Sequence, residues 1–345
     1  MKTKVLLDAV NSVLPGTTTK GLVDGGNMIV ILNGELIAYN DRISVSTFVD
    51  DPGLDIECAI NAVDFKNVIK GIKEDEIDLS MADNILSIVS EKTEAEIPVT
   101  SEVKNILAMI KNLDIGSLDF EDLPTDFNDG LKLTMFNVSD DYADTNNLFC
   151  LCMDGAFLYA SDDFRLSRYE MLKPVSFAPC LIPKNNLQDL AAFQAVGVTT
   201  SLGWIHFLDA KDSVFSCRTV MAKYPITEKM FDSFVGHTSI TLPKELKTTL
   251  EDITPLYDEV MASHKGIKLE IKDDFLYCEI EKEKVWVKKK LKLPGSDNPN
   301  VSFMLSSVFL TEILSWTEVV QVTDKQAIFE TEAFKHVILL QLKEE

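Results

Sequence analysis

The chain is poor in histidine, in basic residues and in long apolar runs. Its four histidines, at 206, 237, 264 and 336, are scattered through 345 residues. His206 and His336 lie within alternating, strand-like patterns, where a lone imidazole is ordinarily a packed structural group. No apolar run approaches the ~18 residues that a membrane-spanning helix needs. The motifs G-x-x-x-x-G-K-[ST], H-E-x-x-H, G-x-S-x-G and G-x-G-x-x-G are all missing, which removes the common nucleotide-binding, zinc-hydrolase, serine-hydrolase and dinucleotide-binding readings. No nucleophile, base and orienting group can be assembled, so neither catalysis nor a cofactor is expected.

Cysteine is present but unorganised. Residues 58, 150, 152, 180, 217 and 278 are scattered. Cys150 and Cys152 share one face of a strand, and no second pair or His-rich partner completes a zinc site. Free thiols in a reducing cytoplasm are expected. The opening MKTKVLLDAVNSVLPG imitates a signal peptide, but Asp8, Asn11 and Ser12 break its apolar run and no clean cleavage site follows.

Basic residues number 33 against 55 acidic ones, a net charge of −22. Affinity for nucleic acid is ordinarily supplied by Lys and Arg. Such a function stays open only if the few basic residues gather on one surface, since beyond about 10 Å at 0.1 M salt the remaining charge is screened.

What the chain does have is a repeat. Its length suggests two to three domains. The stretch 148–171 reads as three strands joined by turns at Asp154-Gly155 and Asp162-Asp163. Blocks 59–99, 178–220 and 301–342 each read strand, short helix, three strands, with turns at Ala82-Asp83-Asn84, at 209–212 and at Asp324-Lys325. Preceding them are helix-period segments at 3–14, 129–140 and 243–254. Each leads into a meander: 27–49 with an Asn33-Gly34 turn, 147–171, and 266–293 with an Asp273-Asp274 turn. Six helix-plus-meander modules at two per domain predict an α+β protein with domains 1–117, 118–235 and 236–345. Val103, Ile106, Leu107 and Ile110 suggest a further helix in the 100–117 linker, and a shorter linker is expected at 229–237.

Asp64 is expected to cap its helix, with Pro183 and Pro243 at the starts of two others. In 64–73, Phe65, Val68, Ile69 and Ile72 form a stripe to be buried, and Lys66, Lys70 and Lys73 stand opposite. Lys4, Lys132, Lys184, Lys244 and Lys247 fall in or beside the other predicted helices. Singly these lysines read as solvation; together they suit helices that face something anionic. Asp162-Asp163 could be written as a hydrolytic carboxylate pair, but adjacent turn acids usually satisfy their own backbone.

With this repeat, Ser161, Asp162, Asp163, Phe164, Arg165 and Leu166 resemble the T-D-G-H-R-L turn of the β sliding clamp, the processivity subunit of bacterial replicative DNA polymerase. Asp163 and Phe164 replace its Gly and His. Tyr224-Pro225-Ile226, followed by Lys229 and Met230, is similar to the family's F-P-D step. Val337, Ile338, Leu339, Leu340 and Gln341 correspond to its V-V-M-P-M tail. The resemblance covers essentially the whole chain and is weakest over 1–30 and 100–125.

It implies the clamp fold, with helices lining a hole and sheets forming an outer wall. It further implies a head-to-tail homodimer closed around duplex DNA, a polymerase tethered to it, and an ATP-driven loader. The three segments would converge into a groove for short partner peptides, with Leu166, Pro225, Met230, Val337, Ile338 and Leu339 as apolar walls and Arg165 as a donor at its mouth. Lys20 is the nearest match to a DNA-contacting Arg of the family. Ile97 on one copy, with Ile253 and Leu256 on the other, are the expected dimer contacts. The helix 306–315 carries no Lys or Arg, so the basic lining is thin. An adaptor or host-takeover protein that keeps the fold without encircling DNA is the alternative.

Overall fold

The computed structural model describes residues 1–18, 25–100, 107, 108, 110, 113, 115–226, 228–232, 238–256, 266–282, 285–296 and 298–341. Contacts gather the chain into two compact units. One comprises Met1–Lys132, Met153–Ala156 and Leu172–Ala222, and the other Leu133–Cys152, Phe157–Met171 and Lys223–Glu345. These are not the three segments read as domains. Main-chain pairing explains the difference: within each unit, the meander of one predicted domain is zipped to the meander of another.

The first unit is built on an antiparallel sheet of eleven strands. In spatial order they are Asp78–Ala82, Ile85–Val89, Glu94–Thr100, Glu57–Asn61, Met28–Leu32, Glu35–Tyr39, Ile43–Phe48, Val214–Arg218, Trp204–Leu208, Gly197–Ser201 and Glu121–Asp122. The zip is the pairing of Ile43–Phe48 with Val214–Arg218, with Ser44 opposite Ser216 and Ser46 opposite Val214. Helices α1 (Thr3–Val13), α2 (Ala62–Gly71), α3 (Phe127–Thr134) and α4 (Lys184–Phe193) accompany the sheet. α1 buries Leu6, Ala9, Val10 and Val13, and α2 buries Ala62, Phe65 and Ile69. These are single apolar stripes at 3–4 residue spacing, which is why the helices lie flat on one surface. Gly16 follows α1 where a Cβ would stand 2.5 Å from the Ala38 carbonyl oxygen. Phe127 of α3 stacks on Phe207 at 5.7 Å between ring centroids.

α2 begins two residues before the expected point. Asn61, not Asp64, is its cap, and its side chain accepts from the Val63 and Asp64 amides at 3.0 and 3.1 Å. Asp64 instead sits in the first turn, where its charge complements the helix dipole. In the 100–117 linker, Val103 and Ile106 lie outside the described residues. Leu113 is buried in a cluster with Val30, Ile37, Tyr39, Ala59 and Trp204, and Leu107, Ile110 and Ile115 pack against it. The linker's apolar period therefore marks a cover for the sheet.

In the second unit, six strands follow in the order Phe157–Ser161, Arg165–Glu170, Phe334–Leu339, Gln326–Glu330, Val319–Val322 and Thr238–Thr241. A separate sheet runs Val285–Lys292, Phe275–Lys282, Gly266–Lys272 and Val301–Ser306. Helices α5 (Glu228–Asp232), α6 (Leu246–Ile253) and α7 (Ser307–Ile313) belong here. α6 starts three residues after Pro243, whose carbonyl accepts the Leu246 amide at 2.9 Å. α7 is capped by Ser306. Leu246, Leu250 and Ile253 of α6 and Phe309, Leu310 and Ile313 of α7 are buried.

All six cysteines are free and buried. Burial pushes the thiol pKa of Cys58 up to about 11 and those of Cys150 and Cys278 up to about 12. No helix among the described residues is long and apolar enough to cross a membrane.

Candidate partner-binding site and nucleic-acid face

The turn at 161–166 is locked from within. The Ser161 hydroxyl donates to the Arg165 carbonyl at 2.8 Å. Asp162 accepts from the Phe164 and Arg165 amides at 3.3 and 3.2 Å. Its carboxylate thus serves its own backbone. Asp163 occupies the left-handed region at φ 70°, a conformation that favours glycine.

Arg165 is not a free donor at a groove mouth. Its guanidinium is buried, donates to Asp162 at 2.8 Å and to the Phe136 carbonyl at 2.8 Å, and is ion-paired with Glu312 of α7. It also lies 3.9 Å from the Phe309 ring centroid. With its charge neutralised and its donors spent, Arg165 holds α7 against the turn.

Two of the three expected segments meet by main-chain pairing. Arg165–Glu170 runs antiparallel to Phe334–Leu339, with Arg165 opposite Ile338 and Leu166 opposite Val337. The Leu339 amide donates to the Phe164 carbonyl at 2.8 Å. Beneath this seam lies a buried polar knot. His336 Nδ1 meets the Ser167 hydroxyl at 2.8 Å and Asn137 Nδ2 at 2.9 Å, and Asn137 also bonds Ser167. Burial, and then the Arg165 charge, hold His336 well below its ordinary pKa, so it is neutral.

The third segment reaches the same strands. Tyr224 has its hydroxyl buried. Burial is the main cause that raises its pKa, helped by the Cys152 and Cys150 thiols. α5 docks through buried Phe231, whose ring lies 6.0 Å from Tyr159 and 5.6 Å from the Arg168 guanidinium. Glu228 pairs with Arg168 at 3.6 Å. Of the expected apolar walls, Leu166, Val337 and Ile338 are core residues; Val337 and Ile338 are consecutive on one strand, so that strand is covered on both faces. What this seam offers to solvent is Phe164, 47% exposed, Leu339, 46%, and Met230, 39%, with Pro225 and Lys229 also exposed. Phe136, Phe231 and Glu312 were missed by reading the sequence. Glu312 alone left a trace, as the single charge in the otherwise neutral α7.

The expected nucleic-acid face is thin. Lys4, Lys70, Lys73, Lys132 and Lys244 are exposed, Lys66, Lys184 and Lys247 half-buried, and Lys20 lies outside the described residues. Lys247 donates to Ser315 at 3.0 Å. Asp8, Asp64, Asp129, Asp189, Glu251 and Asp252 share these helices. Ile97 and Ile253 are buried and Leu256 is half-buried, so the first two present no surface as they stand. His206 is a core group, bonded to Ser201 and Ser216 at 2.8 Å each. His237 and His264 lie outside the described residues. Among the described residues, no cluster of three or more His, Cys, Asp or Glu could hold a metal ion.

No family model and no curated protein sequence matches the chain. Solved structures do. The DNA polymerase III β chain of Streptococcus pneumoniae superposes with a TM-score of 0.81 at 18% identity, over 99% of this chain and 98% of that one. The sliding clamp of Bacillus subtilis gives 0.78 at 15% over 100% and 98%. The Helicobacter pylori β clamp, solved with a DNA ligase peptide, gives 0.78 at 16% over 99% of each chain. At identities of this size the likeness is one of structure, and the fold of this chain is that of the DNA polymerase III β sliding clamps.

Proposed function

We propose that the chain is a DNA sliding clamp: a non-enzymatic ring that encircles duplex DNA and tethers a replicative polymerase. The observation that carries this reading is the likeness of fold to β clamps over the full length of both chains. Three domains, 1–117, 118–235 and 236–345, would supply two modules each, and two copies would close head to tail. Topology then does the work that charge does elsewhere. A closed ring leaves a circular duplex only by opening, so sparse, sequence-independent phosphate contacts from Lys4, Lys66, Lys70, Lys73, Lys132, Lys184, Lys244 and Lys247 suffice and allow sliding. Tethering raises the polymerase's effective concentration at the primer end.

The peptide site would be the seam at 161–166 and 337–339 with 224–230. A bound ligase peptide in the Helicobacter pylori clamp supports a groove of this type. In this chain Phe164, Leu339 and Met230 would receive the apolar side chains, in place of Leu166, Val337 and Ile338. The test is retention on nicked circular DNA against the same DNA linearised, with a clamp loader and ATP present. Retention on the circle and loss on linearisation is the expected result. Equal loss from both would refute encirclement. In that event the mixed charge of the helices would favour the second reading, an adaptor that binds replication proteins through the same seam.

A further inference from the structure

The chain has four arginines, at 42, 165, 168 and 218. All four stand in or beside the strands that zip one meander to another, Ile43–Phe48 with Val214–Arg218 and Arg165–Glu170 with Phe334–Leu339. Arg165 and Arg168 are spent on Glu312 and Glu228. Arg42 and Arg218, both in the first unit, are not. Arg42 Nη1 donates to the Asn185 carbonyl at 3.1 Å, and Arg218 Nε to the Asp41 carbonyl at 2.7 Å. Among the described residues neither meets a carboxylate at ion-pair distance, which leaves most N–H donors of each guanidinium unused.

The two seams are built alike. Asn40 Oδ1 accepts from the Arg42 and Ile43 amides at 2.9 and 2.7 Å, as Asp162 does from those of Phe164 and Arg165. The Arg218 amide donates to the Arg42 carbonyl at 3.0 Å, as the Leu339 amide does to that of Phe164. Arg42 and Arg218 therefore stand where the other seam exposes Phe164 and Leu339. Beside them lies the turn at Leu202-Gly203: Trp204 is opposite Arg218, and the Gly203 carbonyl accepts the Thr219 amide at 3.0 Å. Leu202 is 87% exposed and Met221 79%, the largest values among the described large apolar side chains. The Arg218 guanidinium lies 4.7 Å from the Trp204 ring centroid, and Trp204 is itself buried against Tyr39. This arginine is thus held in place before anything binds, which lowers the cost of ordering it.

We propose that this end of the first unit is a partner site of its own, taking an acidic linear segment of another protein. Carboxylates of the segment pair with Arg42 and Arg218, and its apolar side chains cover Leu202 and Met221. Charge complementarity chooses the occupant. The planar fork of a guanidinium matches a carboxylate with two parallel bonds. On a chain of net charge −22, an acidic segment is steered to the places where cations stand without acidic partners. Two acids flank the site: exposed Asp41, and half-buried Asp189, whose pKa burial raises against the Arg42 charge. A peptide can omit a carboxylate beside Asp41, whereas a phosphate chain carries a charge at every step. Trp204, beneath Arg218, is buried and cannot stack on a base. The site goes beyond the clamp reading and does not depend on encirclement.

A fluorescein-labelled octapeptide of alternating Asp and Leu, titrated into the full-length protein and followed by anisotropy, tests the site. Binding should weaken about tenfold in Arg42→Glu and in Arg218→Glu. Those changes also remove the bonds to Asn185 and Asp41. Leu202→Ser with Met221→Ser, at exposed positions, is the second measure and should weaken binding about fivefold. The same peptide with Lys in place of Asp should bind about tenfold less tightly than the acidic one. Equal binding of the two peptides would overturn the proposal, as would undiminished binding in the Leu202, Met221 double variant. Loss of binding in Phe164→Asp, with the arginine variants unaffected, would place the peptide on the other seam and overturn it too. Displacement of the peptide by an equal concentration of single-stranded oligothymidylate would overturn the choice of occupant. A wild type that binds the peptide through Arg42 and Arg218 yet is not retained on circular DNA supports this site and refutes encirclement.

Discussion

Arg165 shows how far one residue's role depends on its surroundings. It sits in the turn proposed to border a partner groove, yet its donors go to Asp162, Glu312 and Phe136. Truncation would leave these acceptors unpaired around a vacated site. Arg165→Ala is therefore expected to destabilise the protein by about 3 kcal/mol in a urea titration, and lysine, lacking the planar fork, should restore little. Asp163→Gly should act in the opposite direction, by up to about 1 kcal/mol, by relieving the left-handed backbone.

The buried imidazoles set a pH dependence. Burial holds His206 down at about pKa 4, and His336 is also well below its ordinary value. The unfolded chain binds protons near pH 6.5 that the folded chain refuses. Stability is therefore complete above about pH 6.5 and falls as pH drops towards 4. Urea midpoints measured between pH 7.5 and 5 should show this decline, and His206→Asn should flatten it.

Among the elements, helices and meanders were legible because their periods differ. The six modules appear at the expected places, with shifts of a few residues at the ends. The error at α2 is instructive: Asn61 and Asp64 are both cap-forming types, and only the backbone turn at Asn61 selects between them. Asn61→Ala should cost about 1 kcal/mol, whereas Asp64→Ala should cost less, since only a dipole interaction is lost. Thermal unfolding of the two variants separates the cap from the charge. The burial of Phe231 under α5 was not legible, because a five-residue helix has too few positions to show a stripe.

For the whole molecule, charge and topology make different predictions. If encirclement holds the protein on DNA, Lys66→Glu with Lys70→Glu should shorten retention on a nicked circle only about threefold at 0.1 M salt, where distant charges are screened. Opening the ring should abolish retention altogether. A protein held by direct phosphate contact would show the reverse order, and single-molecule dwell times distinguish the two.

The seam at 161–166 divides what the sequence determined from what it could not. Alternation fixed which residues point inward along each strand, turn chemistry fixed where the strands reverse, and self-similarity fixed that the module repeats. That 161–166, 224–230 and 337–341 should come together was implied by the resemblance to the clamp family and by no pattern in the residues. Only the tertiary structure decided that Leu166, Val337 and Ile338 are sealed while Phe164, Leu339 and Met230 stay exposed. The same holds for Glu312, 147 residues away, as the partner of Arg165. The reason is physical. A period of two states which face a side chain takes but not which strand lies alongside, and that neighbour is chosen by backbone pairing between residues far apart in the chain.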